Sequence, residues 1–190
     1  SERSRGLGDV YKRQGKSFCF DWDGVTPDFV FLSKTLAAGY GALSAVVTTN
    51  KISESFKKKS GQIYYSNTHQ GHSLSVAAAL EVQKIIQNKS FLKDVIDKGN
   101  FLRTILFSEL KNEDFFLNVR GRGLRNSMEY STDDNKKFGI ILKQKMMNKN
   151  IFLDAKWHRV AFPLSLSIKK YDLDRNLEIF IDVFKKTSAN

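Results

Sequence analysis

Lys34 is the residue of this chain best placed for covalent chemistry. It ends the run Pro27-Asp28-Phe29-Val30-Phe31-Leu32-Ser33-Lys34, and Gly39, Tyr40 and Gly41 follow it. A Pro-Asp turn feeding β-branched and aromatic residues predicts a buried strand, which delivers the ammonium to a strand end beside a glycine-rich loop. Burying an ammonium disfavours its charged form, and a neutral lysine is a nucleophile and base suited to forming a Schiff base. Position alone also admits a solvated lysine just past a strand. His69 and His72 are the other ligand-type residues standing close together. No third ligand accompanies them, so they read as loop and helix-start residues, and no metal is expected.

The elements that must position Lys34 follow from periodicity and punctuation. Val30 to Leu32 reads as one strand and Ala42 to Thr48 as a second, with a short helix over Ile52 to Lys59. His72 to Ile86 reads as a helix in which Ala77, Ala78 and Ala79 allow close packing. Ser90 is the expected N-cap of the next helix, where Leu92, Val95, Ile96, Gly99, Leu102, Leu106 and Leu110 form one apolar face. Phe115 to Val119 and Leu124 to Tyr130 read as strands joined through Gly121 and Gly123, with a bulge or tight turn there. Asp133 or Asp134 can cap a helix running to Asn148. Ile151 to Leu153 and Val160 to Ser167 supply further strands, and Asp172 opens a last helix with Leu173, Leu177, Phe180, Ile181 and Phe184 on one side.

Composition bounds the partners. The chain has 190 residues, 41% of them hydrophobic and 12% aromatic, enough for a sizeable core. Its net charge of +11 invites a nucleic-acid reading. The lysines are spread along the chain, however, and no aromatic residues interleave with them as a single-strand platform requires, so no nucleic acid is expected. The longest low-polarity run, Leu36 to Val47, is too short and glycine-rich to cross a bilayer, which needs about 20 apolar residues, so no membrane partner is expected. The single cysteine, Cys19, reads as a buried thiol in a reduced compartment, and the expected location is cytoplasmic.

Four segments, taken together and in order, resemble the class III aminotransferases, pyridoxal-phosphate enzymes of fold type I. Around Lys34 the pattern PD-x-x-x-x-(A/S)-K-x-L-x-x-G-Y-x-x-(L/I)-x-A-V is met by Pro27, Asp28, Ser33, Lys34, Leu36, Gly39, Tyr40, Leu43, Ala45 and Val46. Thr68 to Leu80 is similar to T-x-x-G-H-P-x-x-x-A-A-A-L, with Ser73 in place of the proline. Val119 to Leu124, ending in Met128-Glu129, is similar to VRG-x-GL...(I/L)E. Arg159 to Leu164 is similar to R-x-x-P-P-L, with Phe162 replacing the first proline.

The resemblance implies an α/β chain: the C-terminal part of a fold type I large domain over residues 15–75, then an interdomain helix and an α+β small domain over 76–190. It implies pyridoxal 5'-phosphate as cofactor, held as a Schiff base by Lys34, whose freed amine then moves a proton on the substrate. Thr68 would donate its hydroxyl to the cofactor phosphate of the neighbouring subunit in a homodimer. Arg159 would grip a substrate carboxylate with both guanidinium nitrogens. The expected reaction moves an amino group from an amine or ω-amino acid to an oxo acid. An aminomutase or decarboxylase of the same family, or a non-catalytic basic fragment, is the alternative. Residues 1–14 resemble a translated sequencing-library adapter and are set aside from fold reasoning as a foreign head. Gly15-Lys16-Ser17-Phe18 then joins the family pattern after its acidic residues, so the chain is expected to be a fragment that is inactive alone. The Arg120 and Arg122 side chains have no assigned role.

Overall fold

The computed structural model describes residues 14–61 and 67–188, so the adapter-like head lies outside the described residues except for Gln14. The described residues divide into two compact units, Lys16–Leu92 and a second made of Lys93 onward together with Gln14 and Gly15. The division falls beyond the 75/76 boundary expected from sequence, because the whole of helix α3 belongs to the first unit.

In the first unit, a single turn α1 (Phe20–Asp23) stops at Gly24, whose φ of 65° supplies the left-handed cap. Strand β1 (Phe29–Leu32) pairs antiparallel with β2 (Ala45–Thr48), Phe29 opposite Thr48 and Leu32 opposite Ala45. Helix α2 covers Asn50–Lys59 and α3 covers Ser73–Ile86. The stripe Ser75, Ala79, Val82 and Ile86, at spacings of four and three, is the buried face of α3. The expectation of a buried strand before Lys34 is not met. The sheet has two strands, and Phe31 and Val46, which face each other across it, are 48% and 61% exposed. Cys19, expected to be buried, is half-buried and forms no disulfide.

Helix α4 (Lys89–Leu110) leads into the second unit. Its cap is Asn88 rather than Ser90: the Asn88 Oδ1 accepts the Ser90 backbone N–H at 2.9 Å and the Ser90 hydroxyl at 2.7 Å. The sheet that follows is antiparallel throughout, in the order β3 (Phe116–Arg122), β4 (Arg125–Tyr130), β6 (Arg159–Pro163), β5 (Asp154–Lys156). The hairpin between β3 and β4 turns tightly at Gly123 and Leu124, whereas the bulge sits at Leu117, where the register slips between Phe116 and Asn118. Asp134 caps α5 (Asn135–Met147), its carboxylate accepting the Lys137 N–H at 2.9 Å.

Residues Ile151 to Leu153 are not a strand. The Ile151 N–H is spent on the Met146 carbonyl at the end of α5, past Asn150 in a left-handed conformation. Strand β6 stops at Pro163, which has no N–H to donate, and the Leu164 N–H turns back to the Phe162 carbonyl. The last helix, α6 (Lys170–Ser188), starts two residues before Asp172, which sits in its first turn.

One face of the sheet carries the core. Met128, Tyr130, Val160 and Phe162 pack with Leu102, Leu106 and Leu110 of α4, Phe138, Leu142 and Met146 of α5, and Leu173, Leu177, Phe180 and Phe184 of α6. The ring of Phe184 meets those of Phe115, Tyr130, Phe138 and Phe180 at centroid distances of 5.3 to 5.9 Å. The alternate residues Arg125, Ser127 and Glu129 lie on the opposite face.

Candidate active site

Lys34 stands one residue past β1, after Ser33, and opens a short 3-10 turn, Lys34–Leu36. Its φ of 47° places a side-chain-bearing residue in the left-handed region. That conformation costs about 1–2 kcal/mol, because Cβ crowds the carbonyl that follows. Ala38 (φ 50°) and Gly39 (φ 87°) share the region, so the chain after the lysine is wound tightly. The side chain of Lys34 is exposed; the expected burial of its ammonium is not found among the described residues.

Helix α3 holds this loop at two points. Near its C-terminal end the Gln83 amide donates to the Leu36 carbonyl at 2.8 Å and to the Thr35 carbonyl at 3.4 Å. Near its N-terminal end Ser75 lies so close to Gly41 that a Cβ on Gly41 would sit 2.8 Å from the Ser75 hydroxyl and 2.9 Å from its Cα. Eight residues of helix, about 12 Å, separate the two anchors. The segment from Lys34 to Gly41 is thus laid along α3, antiparallel to it, with Ala37 buried between the anchors.

Thr68 stands in the turn that leads into the same helix, where the Gln70 N–H bonds the Asn67 carbonyl at 2.9 Å and Gly71 has a φ of 69°. Its hydroxyl is exposed. His72 is the cap of α3: its Nδ1 accepts the Ser75 N–H at 3.3 Å and lies 3.1 Å from the Ser75 hydroxyl. The imidazole is therefore a structural acceptor. Among the described residues no three His, Cys, Asp or Glu side chains could hold a metal ion. Among the described residues, too, no helix is long and apolar enough to cross a membrane.

Lys34 and Thr68 thus belong to one unit and share α3 as their support. Arg159 belongs to the second unit. It is the exposed first residue of β6, opposite Glu129 on β4 and Lys156 on β5. Glu129 is ion-paired with Arg120, which gives that arginine a structural partner. Sequence reading missed the clamp by Gln83 and the Gly41–Ser75 contact. A glutamine inside an apolar helix was the one available signal for the first, and its partner stands 47 residues away.

The sequence model of the family "Aminotransferase class-III" matches residues 6–184. The chain belongs to the class III aminotransferases. It is 28% identical over 174 residues to the acetylornithine/succinyldiaminopimelate aminotransferase of Buchnera aphidicola, covering 92% of this chain and 41% of that protein. It is likewise 28% identical over 186 residues to the ornithine aminotransferase of Plasmodium falciparum, covering 97% and 42%. Its fold matches that of the acetylornithine aminotransferase from Elizabethkingia anophelis with a TM-score of 0.82 at 20% identity, over 95% of this chain and 44% of that one. The chain spans less than half the length of these relatives. The class III assignment accounts for the mixed helix and sheet architecture.

Proposed function

We propose that Lys34 is the lysine that carries pyridoxal phosphate in a transaminase acting on an amine or ω-amino acid and an oxo acid. The observation that carries this reading is the backbone of Lys34 itself. An amine is presented at a strand end on a left-handed residue, and the loop behind it is held by α3 at both Leu36 and Gly41. Strain of this kind persists where the surroundings over-determine it, and functional sites are where it concentrates. The residues present fit the cofactor: an exposed primary amine can take its aldehyde, and the exposed Thr68 hydroxyl can donate to the phosphate of the cofactor in a neighbouring subunit. When bound, the cofactor supplies an electron sink for the carbon that loses a proton.

The chain's own groups do the rest. Lys34 holds the cofactor and, once displaced, its amine takes and returns the proton at the substrate carbon. Arg159 offers two parallel N–H donors to a substrate carboxylate. The names of the relatives support an ω-amino acid as donor. A homodimer completes the reading: α3 leaves Leu74, Leu80 and Ile85 exposed beside Ala77 and Ala78, a close-packing surface for a second copy that would bring Thr68 to the neighbouring site.

The test is borohydride reduction in the presence of pyridoxal phosphate, on a protein carrying this segment at the length of its relatives. Peptide mapping should place the reduced adduct on Lys34, and Lys34→Ala should abolish transamination. An adduct on another lysine would sink the assignment.

A further inference from the structure

On the face of the second unit's sheet that points away from the core, Glu129 of β4 stands directly opposite Arg159 of β6, and Lys156 of β5 flanks Arg159 on its other side. Opposed residues of an antiparallel pair have Cβ atoms about 4.5–5.5 Å apart, well within the reach of an arginine and a glutamate. Yet these two do not pair. The Glu129 carboxylate is held by Arg120, which lies on β3 opposite Ser127, two residues from Glu129 on the same face. The other acid of this face, Asp154, lies 3.8 Å from Lys156. Both carboxylates are thus taken by other cations, and Arg159 keeps neither a hydrogen bond nor an ion pair among the described residues.

We propose that Arg120 is a positioning residue for Arg159: by holding Glu129, it keeps the Arg159 guanidinium open to an incoming carboxylate. This role rests on the reading of Arg159 as the group that grips a substrate carboxylate. The side chain of Glu129 is only 21% exposed, so its carboxylate gains from a cation partner more than a fully hydrated one does. Without Arg120, the cation directly across the strand pair is Arg159. Lys156 is no substitute, because it stands on the far side of Arg159 and belongs to Asp154. Arg159 would then close on Glu129 with its parallel N–H donors, and a substrate carboxylate would have to displace an internal one of the same chemistry.

The test labels arginines of the 190-residue chain with phenylglyoxal and follows each by peptide mapping, the exposed Arg175 serving as internal reference. Arg120→Ala should slow the labelling of Arg159 by about two- to fivefold, the size of an exposed ion pair, at an unchanged Arg175 rate. Adding Glu129→Gln should restore the rate, which a merely structural role for Arg120 does not predict. Arg125→Ala removes the same charge from the same face without freeing Glu129, and should leave Arg159 unchanged. On a protein of the relatives' length, Arg120→Ala should raise KM for 5-aminopentanoate by the same factor with kcat kept, and should not raise it for 1-aminopentane. Unaltered labelling in Arg120→Ala, no recovery in the double variant, or an equal slowing in Arg125→Ala would each overturn the role of Arg120. Slowed labelling with an unmoved KM would leave that role standing and sink Arg159 as the carboxylate grip.

Discussion

Gly99→Ala sets two magnitudes against each other and lets the structure decide the sign. Gly99 lies inside the 22-residue helix α4, where replacing an interior glycine with alanine stabilises an isolated helix by about 1 kcal/mol. In this fold Gly99 packs against the turn between β3 and β4, and a Cβ there would collide with the Gly123 carbonyl group and its Cα. That obstacle is backbone, and it is pinned: the Asn126 amide donates to the Gly123 carbonyl at 2.7 Å, and Arg103 bonds Asn126 Oδ1 at 2.6 Å. Burial lowers the pKa of that Arg103 guanidinium, which reflects how far the cluster is withdrawn from water. Overpacking typically costs about 1–3 kcal/mol, and a rigid backbone obstacle places this site at the upper end. The net effect is a loss of about 1–2 kcal/mol. At roughly 4–8 °C per kcal/mol for a unit of this size, melting should fall by about 4–16 °C. Calorimetry or circular dichroism reads this directly. A variant that melts at or above the parent would refute the close approach of α4 to the turn.

Gln83→Ala removes the amide that holds the Leu36 carbonyl, a hydrogen bond of about 1 kcal/mol net, so hydrogen exchange at Leu36 and Tyr40 should quicken about fivefold while the second unit is unchanged. Unaltered exchange at both amides would mean that α3 does not hold the Lys34 loop. Tyr130 is fully buried, and desolvation pushes its pKa from 10 up to about 12. The neutral phenol is therefore favoured in the fold: its contribution is complete below pH 10, falls as the unfolded state ionises first, and is lost by about pH 12, roughly 2–3 kcal/mol in all. Denaturation between pH 9 and 12 should be less steeply pH-dependent in Tyr130→Phe than in the parent, and equal slopes would contradict the assignment.

The second unit was the more legible in sequence because its elements are long and their faces unambiguous. Leu173, Leu177, Phe180, Ile181 and Phe184 were expected on one side of a helix and are all buried there, and α4 buries Val95, Gly99, Leu102, Leu106 and Leu110 from its expected face. What was misread was set by backbone hydrogen bonds that composition does not encode. Ile151 closes a helix instead of joining a strand, and Asn88 caps α4 ahead of the equally suitable Ser90. In the candidate site the position of Lys34 at a strand end was legible from its Pro-Asp entry and apolar run. Its exposure was not, because the burial of a strand depends on what packs over it.

That difference between the units bears on the chemistry. The second unit has a continuous core from α4 to α6, whereas the strand pair that presents Lys34 leaves Phe29, Phe31, Val46 and Val47 exposed. A two-stranded sheet without a covered face is marginal in water at best. Among the described residues α3 holds the lysine loop through the Gln83 amide and the close approach of Ser75 to Gly41. Any group that binds the ordered form of this loop stabilises that form by mass action. Under the proposal that Lys34 carries the cofactor, retaining it and ordering the Lys34 to Gly41 loop are a single equilibrium, and the left-handed backbone at Lys34 is the point where the two meet.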